Sequence, residues 1–272
     1  MPEPGTVAAL RRYPVKSMLG EDLTAVQLTP TGLEGDRFAA VIDLQTGTVA
    51  TAKHPRLWRG LLAFASEWND GSPRITLPGG GSVAVADDQA GPLLSGLLHR
   101  DVRLATVRPD KATIGRPSPE DVIAAGDDAD VPYETLEIGQ GTTGTNFVDF
   151  APVHLITTAT LAHVGQELIR YRPNLVLDLP GAEPFAENDW IGRTIAVGPA
   201  VLRIMIPTPR CAVPTLSHGN LPRRTSAVRT LLEHNRITVP GFDTLHPCLG
   251  AYAQVETPGP LSLGDPAALL PT

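Results

Sequence analysis

The sequence predicts a mainly β, or α+β, fold made of two β-rich parts. Short apolar runs with strand-like alternation recur along the chain, and helical spacing is confined to a few scattered stretches. Gly (26) and Pro (27) together form about a fifth of the chain, against roughly an eighth in ordinary domains. Because they fall between the apolar runs, they mark turns and not disorder. At 272 residues the chain is long enough for one large domain or two small ones, each with a real core.

The first part, residues 1–107, opens with strands expected at Val7–Tyr13, Leu23–Leu28, Phe38–Asp43 and Val49–Ala52, with a turn at Asp43–Gly47. Arg74–Leu77 and Ser82–Ala86 flank Pro78-Gly79-Gly80-Gly81 as a hairpin. Ala90–His99 has helical spacing, with Leu93, Leu94, Leu97 and Leu98 on one side, and Val102–Val107 returns to strand. Residues 108–137 change in composition. Pro109–Pro132 holds four prolines and six Asp or Glu residues, and is expected to be a linker or exposed excursion.

The second part, residues 138–268, has strands expected at Val153–Thr157, Leu175–Asp178, Thr194–Val197, Val201–Ile206, Leu249–Glu256 and Leu261–Leu263. Short helices are expected at Ala159–Ile169 and Ala227–Asn235. Strands outnumber helices and the helices are interspersed, which favours a barrel or α+β architecture over a doubly wound sheet.

Net charge is −7. That argues against general nucleic-acid binding, which needs a broad basic surface, but leaves room for a local basic pocket around a small anion. The two cysteines, Cys211 and Cys248, make no disulfide framework and no CxxC zinc pattern. No signal peptide is visible and no apolar stretch reaches spanning length, so no membrane partner is expected and the expected setting is cytoplasmic, with reduced thiols.

The most informative residue is Cys211, in Pro207-Thr208-Pro209-Arg210-Cys211-Ala212-Val213-Pro214. Three prolines predict a stiff loop, neither helix nor central strand, presenting one thiol beside Arg210. A neighbouring guanidinium favours the thiolate, the form that attacks electrophiles and binds soft metals. His218, seven residues on, is a candidate proton donor. Cys248, beside Pro247 and an apolar run, reads as a buried structural thiol.

Basic groups gather around this in the chain. Lys16 and Ser17 follow a strand ending at Pro14 and suit a phosphate, although a solvated turn lysine is the commoner outcome. Arg37 follows the turn-forming Gly32 and Gly35 and can fork onto phosphate oxygens, although a surface pair with Asp36 or Glu34 is the commoner outcome. Thr51-Ala52-Lys53-His54-Pro55-Arg56 has the composition of a solvated rim. Arg172 and Asn174 flank Pro173 ahead of a strand, where Asn174 equally suits a backbone cap. Thr157 and Thr158 precede a helix, with Thr158 the expected N-cap, and the same helix start suits an anion.

Taken in order, these segments resemble the MOSC superfamily, the molybdenum-cofactor sulfurase C-terminal domain with its N-terminal β-barrel partner. The resemblance rests on Tyr13–Ser17, Gly32–Phe38, Thr51–Lys53 and Pro55–Leu57 at the front. Tyr171–Val176, Pro184–Gly192, Arg210-Cys211 and Leu249–Ala253 carry it further on. It implies a MOSC-type β-barrel preceded by a smaller β-barrel-like N-terminal domain, with a molybdopterin-type molybdenum cofactor bound between them. It implies that Cys211 is the thiolate on the metal and that Lys16, Ser17 and Arg37 hold the cofactor phosphate. Arg172, Asn174 and Arg210 would hold pterin and phosphate, helped by Thr157 or Thr158. Pyridoxal phosphate binding is associated with the family only at large. The implied activity is reduction of N-hydroxylated compounds with electrons from a separate donor protein; a non-catalytic cofactor carrier and a metal-free sulfur-transfer protein using Cys211 are the alternatives. Reducing members often follow the cysteine with an Asp-Pro-x-Thr-Gly-like segment; Thr215-Leu216-Ser217-His218-Gly219-Asn220 departs from it, in a loop expected to face substrate.

Overall fold

The computed structural model describes residues 4–165 and 167–271. Its larger body is a closed barrel of seven strands: β1 Gly5–Arg12, β2 Val153–Thr157, β3 Leu175–Asp178, β4 Thr194–Val197, β5 Ala200–Pro209, β6 Leu245–Thr257 and β7 Pro266–Leu269. The spatial order is β2-β3-β1-β7-β4-β5-β6, and β6 pairs back onto β2 to close the ring. The β2–β3 pair is parallel, which its crossover helices allow, and the other pairs are antiparallel. Alternate residues point inward and fill the barrel, among them Leu10, Leu155, Leu175, Leu177, Ile195 and Leu202, all buried.

The smaller body forms from residues that follow β1. A three-stranded sheet (Ala65–Asn69, Ser72–Thr76, Ser82–Ala84) and a strand pair (Ala40–Asp43 with Val102–Ala105) enclose a second core with the helix Ala90–Leu98. Within that helix Leu94 is buried, whereas Leu93 and Leu97 face outward; the apolar stripe is narrower than the four leucines suggest.

Several elements differ from expectation for identifiable reasons. Of Val49–Ala52, only Val49 forms a bridge, to Ile42. The expected helix Ala159–Ile169 stops at Gly165, whose φ of +106° ends Thr158–Val164, and a separate turn of helix forms at Leu168–Tyr171. The expected linker holds a hairpin, Thr113–Pro117 with Tyr133–Glu137, and a helix at Pro119–Ala125 capped by Ser118. Ile114 and Ile138 join a buried cluster with Ala40, Ile42 and Phe147, so this segment packs onto the smaller body. Strand β5 runs through Pro207 to Pro209, beyond the expected end at Ile206. Register shifts between Ile204 and Ile206 and between Pro207 and Pro209 let prolines sit where no ladder donor is required.

The first strand belongs to the larger barrel: Thr6 to Leu10 pair with Leu175 to Asp178. The chain therefore starts in the large barrel, leaves at Tyr13 to build the smaller body, and returns through residues 139–152 to β2. Both crossings, the β3 entry and the end of β5 meet at one place, and that is where the cleft lies.

Candidate functional site

The cleft is lined by Lys16, Ser17 and Arg37 from the outgoing crossing, by Thr51–Lys53 from the smaller body, and by Asp149 from the return crossing. The barrel contributes His154, Arg172, Asn174, Arg210, Cys211 and Tyr252. Seven of the ten sequence-predicted site residues thus converge, although they span residues 16 to 211.

Cys211 is 5% exposed and opens onto the cleft, backed by Ala52, Leu62, Val213 and Leu216. Arg210 is fixed before it: its backbone N–H donates to Pro247 O at 2.7 Å and its Nη2 to Tyr171 O at 2.9 Å. Its Nε is buried with no partner, and so is Nη1 of Arg172. Unpaired buried guanidinium donors are costly, and an anionic ligand in the cleft would satisfy them.

Tyr13 is the piece that lets two arginines crowd together. Its ring lies 4.5 Å from the Arg37 guanidinium and 4.3 Å from that of Arg172, offsetting like-charge repulsion by cation–π attraction. Burial lowers the pKa of Arg172 to about 10, still charged at neutral pH. Burial also opposes the charge on Arg37, but Asp36 at 2.6 Å together with Tyr13 and Asp149 outweighs it and the net shift is upward. Ser17, Arg37 and Arg172 all have positive φ (65°, 46° and 56°), a conformation disfavoured for side-chain-bearing residues and often concentrated at functional sites. The turn before Arg37 uses Gly32 and Gly35 at φ +112° and +78°, as the sequence suggested.

Asn174 lines the cleft but its side chain is committed to structure. Oδ1 accepts from the His154 backbone N–H at 3.1 Å, and Nδ2 donates to Arg11 O at 3.2 Å, clamping β1, β2 and the β3 entry. Ser17 Oγ accepts from the Ala52 N–H at 3.1 Å, joining the outgoing crossing to Thr51–Lys53.

Three predicted residues stand apart from the cleft lining. Thr157, not Thr158, is the N-cap, accepting from Thr160 N. This helix start already holds an internal anion: Glu187, fully buried, takes the Thr157 N–H at 2.6 Å, the Thr157 hydroxyl at 3.0 Å and the Thr160 hydroxyl at 2.8 Å. Thr158 points out and donates to Asp178. His218 is buried beside the Cys211 loop, its Nδ1 2.9 Å from Leu216 O, and burial pushes its pKa down to about 4. At that value the ring is neutral near pH 7, which runs against the expected role as a proton donor. Cys248 is buried as expected, its thiol pushed up to about 12 by burial.

The residues that sequence reasoning passed over are Asp149, Lys53, His154 and Tyr252. Asp149 accepts from Lys16 Nζ at 2.6 Å and from Lys53 Nζ at 3.0 Å. Despite the unfavourable effect of burial, the two ammonium groups hold its carboxyl well below the usual range. Lys16 shifts down instead, to about 8, because burial and the neighbouring Lys53 and Arg37 outweigh its pairing with Asp149. His154 sits between Arg172 O and Leu249 O at 3.4 and 3.2 Å, and burial followed by Arg210 lowers it to about 3. Lys53 is visible in sequence as one member of a rim-like cluster and of the Thr51–Lys53 segment that carries part of the resemblance, without a site role of its own, and Asp149 has no motif around it.

Among the described residues no cluster of three or more His, Cys, Asp or Glu side chains suits a metal ion. A metal here would take one protein sulfur and obtain its other ligands elsewhere. Among the described residues no helix is long and apolar enough to cross a membrane.

This architecture, two β-rich bodies with a cationic, thiol-bearing cleft between them, agrees with two family models. Residues 4–101 match the MOSC N-terminal beta barrel domain and residues 142–268 match the MOSC domain. The chain belongs to the MOSC family. It is similar to human mitochondrial amidoxime-reducing component 1, at 24% identity over 98% of this chain and 83% of that protein. The mouse counterpart is 25% identical over 98% and 82% of the two chains. A shorter match to rat mitochondrial amidoxime reducing component 2 is 29% identical, covering 44% of this chain and 37% of that protein. Among solved structures, the YUAD protein from Bacillus subtilis matches with a TM-score of 0.44 at 12% identity, covering 97% and 93% of the two chains.

Proposed function

We propose that the protein binds a molybdopterin-type molybdenum cofactor in this cleft and reduces N-hydroxylated compounds. The observation that carries the reading is the convergence of Cys211 with Lys16, Arg37, Lys53, Arg172 and Arg210 in one cleft of an otherwise acidic protein. The unpartnered Arg172 Nη1 and Arg210 Nε fit an anionic group, and Cys211 fits a soft metal. The full-length likeness to amidoxime-reducing components adds the substrate class.

In this reading Cys211 ligates the metal. Arg37, Arg172 and Arg210 bind the anionic parts of the cofactor, with Lys16 and Ser17 at the phosphate. Asn174 acts through the backbone it clamps, while Thr157 and Thr158 support the fold. When bound, the cofactor supplies the two-electron centre that removes oxygen from an N–OH group. The overall change consumes R–NH–OH, two electrons and two protons, and yields R–NH2 and water; a separate protein donates the electrons. The chain contributes orientation, charge neutralisation and an apolar backing of Ala52, Leu62, Val213 and Leu216 behind the thiol.

The test is metal and pterin analysis of protein made in a cofactor-competent host, beside Cys211→Ser. Near-stoichiometric molybdenum and pterin in the wild type, with molybdenum reduced several-fold in the variant, is the expected result. A Cys211→Ala protein retaining both molybdenum and N-hydroxy reductase activity would sink the mechanism. Bound, exchangeable cofactor without turnover of any N-hydroxy substrate would instead favour a cofactor carrier.

A further inference from the structure

Among the described residues, five cations line the cleft (Lys16, Arg37, Lys53, Arg172 and Arg210) and Asp149 is the lone carboxylate facing them. Asp36 is already spent, accepting from Tyr13 N at 2.8 Å and pairing with Arg37. Asp149 lies 2.6 Å from Lys16 Nζ and 3.0 Å from Lys53 Nζ, and a third of its side chain (32%) remains exposed toward the open cleft. Lys16 is fixed more firmly, 5% exposed, with a second bond to Phe147 O at 2.9 Å. One carboxylate thus neutralises half the charge of an ammonium pair whose geometry also suits a larger anion.

We infer that Asp149 is a resident anion of the cleft, holding the Lys16–Lys53 ammonium pair until a phosphate-bearing ligand displaces it. A phosphate monoester brings close to two negative charges and three terminal oxygens, matching two ammonium groups where a carboxylate matches one. Asp149 competes through its covalent tether, which gives it a high effective concentration, and through its two ion pairs. Displacement is open to it because its side chain reaches solvent, whereas Lys16 is held from behind. Lys53 then becomes a phosphate ligand only after exchange. The inference rests on the cofactor reading for the identity of the phosphate ester, not for the existence of the anion subsite.

Inorganic phosphate is the probe, titrated calorimetrically at fixed ionic strength and pH 7 into protein from a host lacking pterin-cofactor synthesis. The series is wild type, Asp149→Asn, Lys53→Ala and the double variant. Asp149→Asn is expected to bind phosphate about tenfold more tightly, since a charge within a few ångströms of the ligand is removed. Lys53→Ala is expected to weaken phosphate several-fold in the Asp149→Asn background and little in the wild-type background. That non-additivity separates displacement from a general change in cleft charge. Unchanged or weaker binding by Asp149→Asn overturns the inference; so do equal Lys53→Ala losses in both backgrounds, or no phosphate binding by any variant. If Asp149→Asn misfolds, Asp149→Ser tests the same carboxylate. The titration needs no metal. A wild type without molybdenum or pterin, combined with the expected phosphate cycle, would defeat the cofactor reading and leave this one standing.

Discussion

Two carboxylates in this molecule sit where the sequence suggested an external anion, and they behave in opposite ways. Glu187 fills the start of the helix Thr158–Val164, fully buried and bonded to one backbone amide and two hydroxyls. Asp149 fills part of the cleft, a third exposed and bonded to the ammonium groups of Lys16 and Lys53. The first site is closed because its donors are fixed in the helix start and the neighbouring Phe185 N–H donates to Thr160 Oγ1 at 2.8 Å. The second stays open because the two bodies meet there without sealing. A helix N-terminus and a cationic turn look equally anion-ready in one dimension; what distinguishes them is whether the fold supplies its own counter-charge and shuts the door.

The largest effect that tests this contrast is on folding. Glu187→Ala strips three hydrogen bonds and leaves the Thr157 N–H buried without a partner, while the Thr157 and Thr160 hydroxyls keep only each other and the Thr160 and Phe185 amides. The expected cost is about 3 kcal/mol, read as a lowered midpoint in chemical denaturation. If Glu187→Ala instead unfolds within about 0.5 kcal/mol of wild type, Glu187 is not the structural member of the pair.

The contrast also shows how much the sequence carried. Short apolar runs placed β2, β3 and β4 at the expected residues: β4 buries every second side chain, whereas β2 and most of β3 are covered on both faces and read as continuous apolar runs. The pairing of Thr6–Leu10 with Leu175–Asp178 left no such trace, since register between distant strands is a tertiary property. The hairpin inside the acidic, proline-rich segment was hidden by composition: Pro117 and Pro119 look like breakers but occupy a strand end and a helix first turn, where no amide is needed. In the site, Cys211 and the arginines were legible because their neighbours are unusual. Asp149 was not, because a lone aspartate means nothing until two lysines from other segments arrive beside it.

A second test uses acid. His218 is buried and neutral, with its pKa held near 4, against an ordinary value near 6.5 in the unfolded chain. The unfolded chain then binds the extra proton, so stability is full above about pH 6.5 and falls as pH drops toward 4. His154, held near 3, adds to the same loss at the lower end. His218→Gln removes one titrating group, so its stability should fall less than that of wild type between pH 6.5 and 5, by on the order of 1–2 kcal/mol. Parallel pH profiles for the two proteins would mean that the His218 ring reaches solvent and protonates freely, and would restore it as a candidate proton donor for the cleft.

The smallest expected effect is the stability cost of Asp149→Asn, and its smallness is the point. Lys16 loses an ion-pair partner but keeps Phe147 O, and the Asp149 side chain is itself 32% exposed, so the cost should be about 1 kcal/mol at pH 7. Lys16 titrates near 8, and raising the pH through that value removes the charge that Asp149 stabilises. The difference between wild type and variant should therefore shrink by pH 9, when most of the attraction to Lys16 has gone from the wild type as well. Denaturation midpoints at pH 7 and 9 measure this directly. A cost as large as that of Glu187→Ala, unchanged between the two pH values, would make Asp149 a second structural carboxylate and remove the distinction between the closed site and the open one. A small cost that fades at high pH leaves Asp149 as the group the fold can release without coming apart, as a displaceable anion requires.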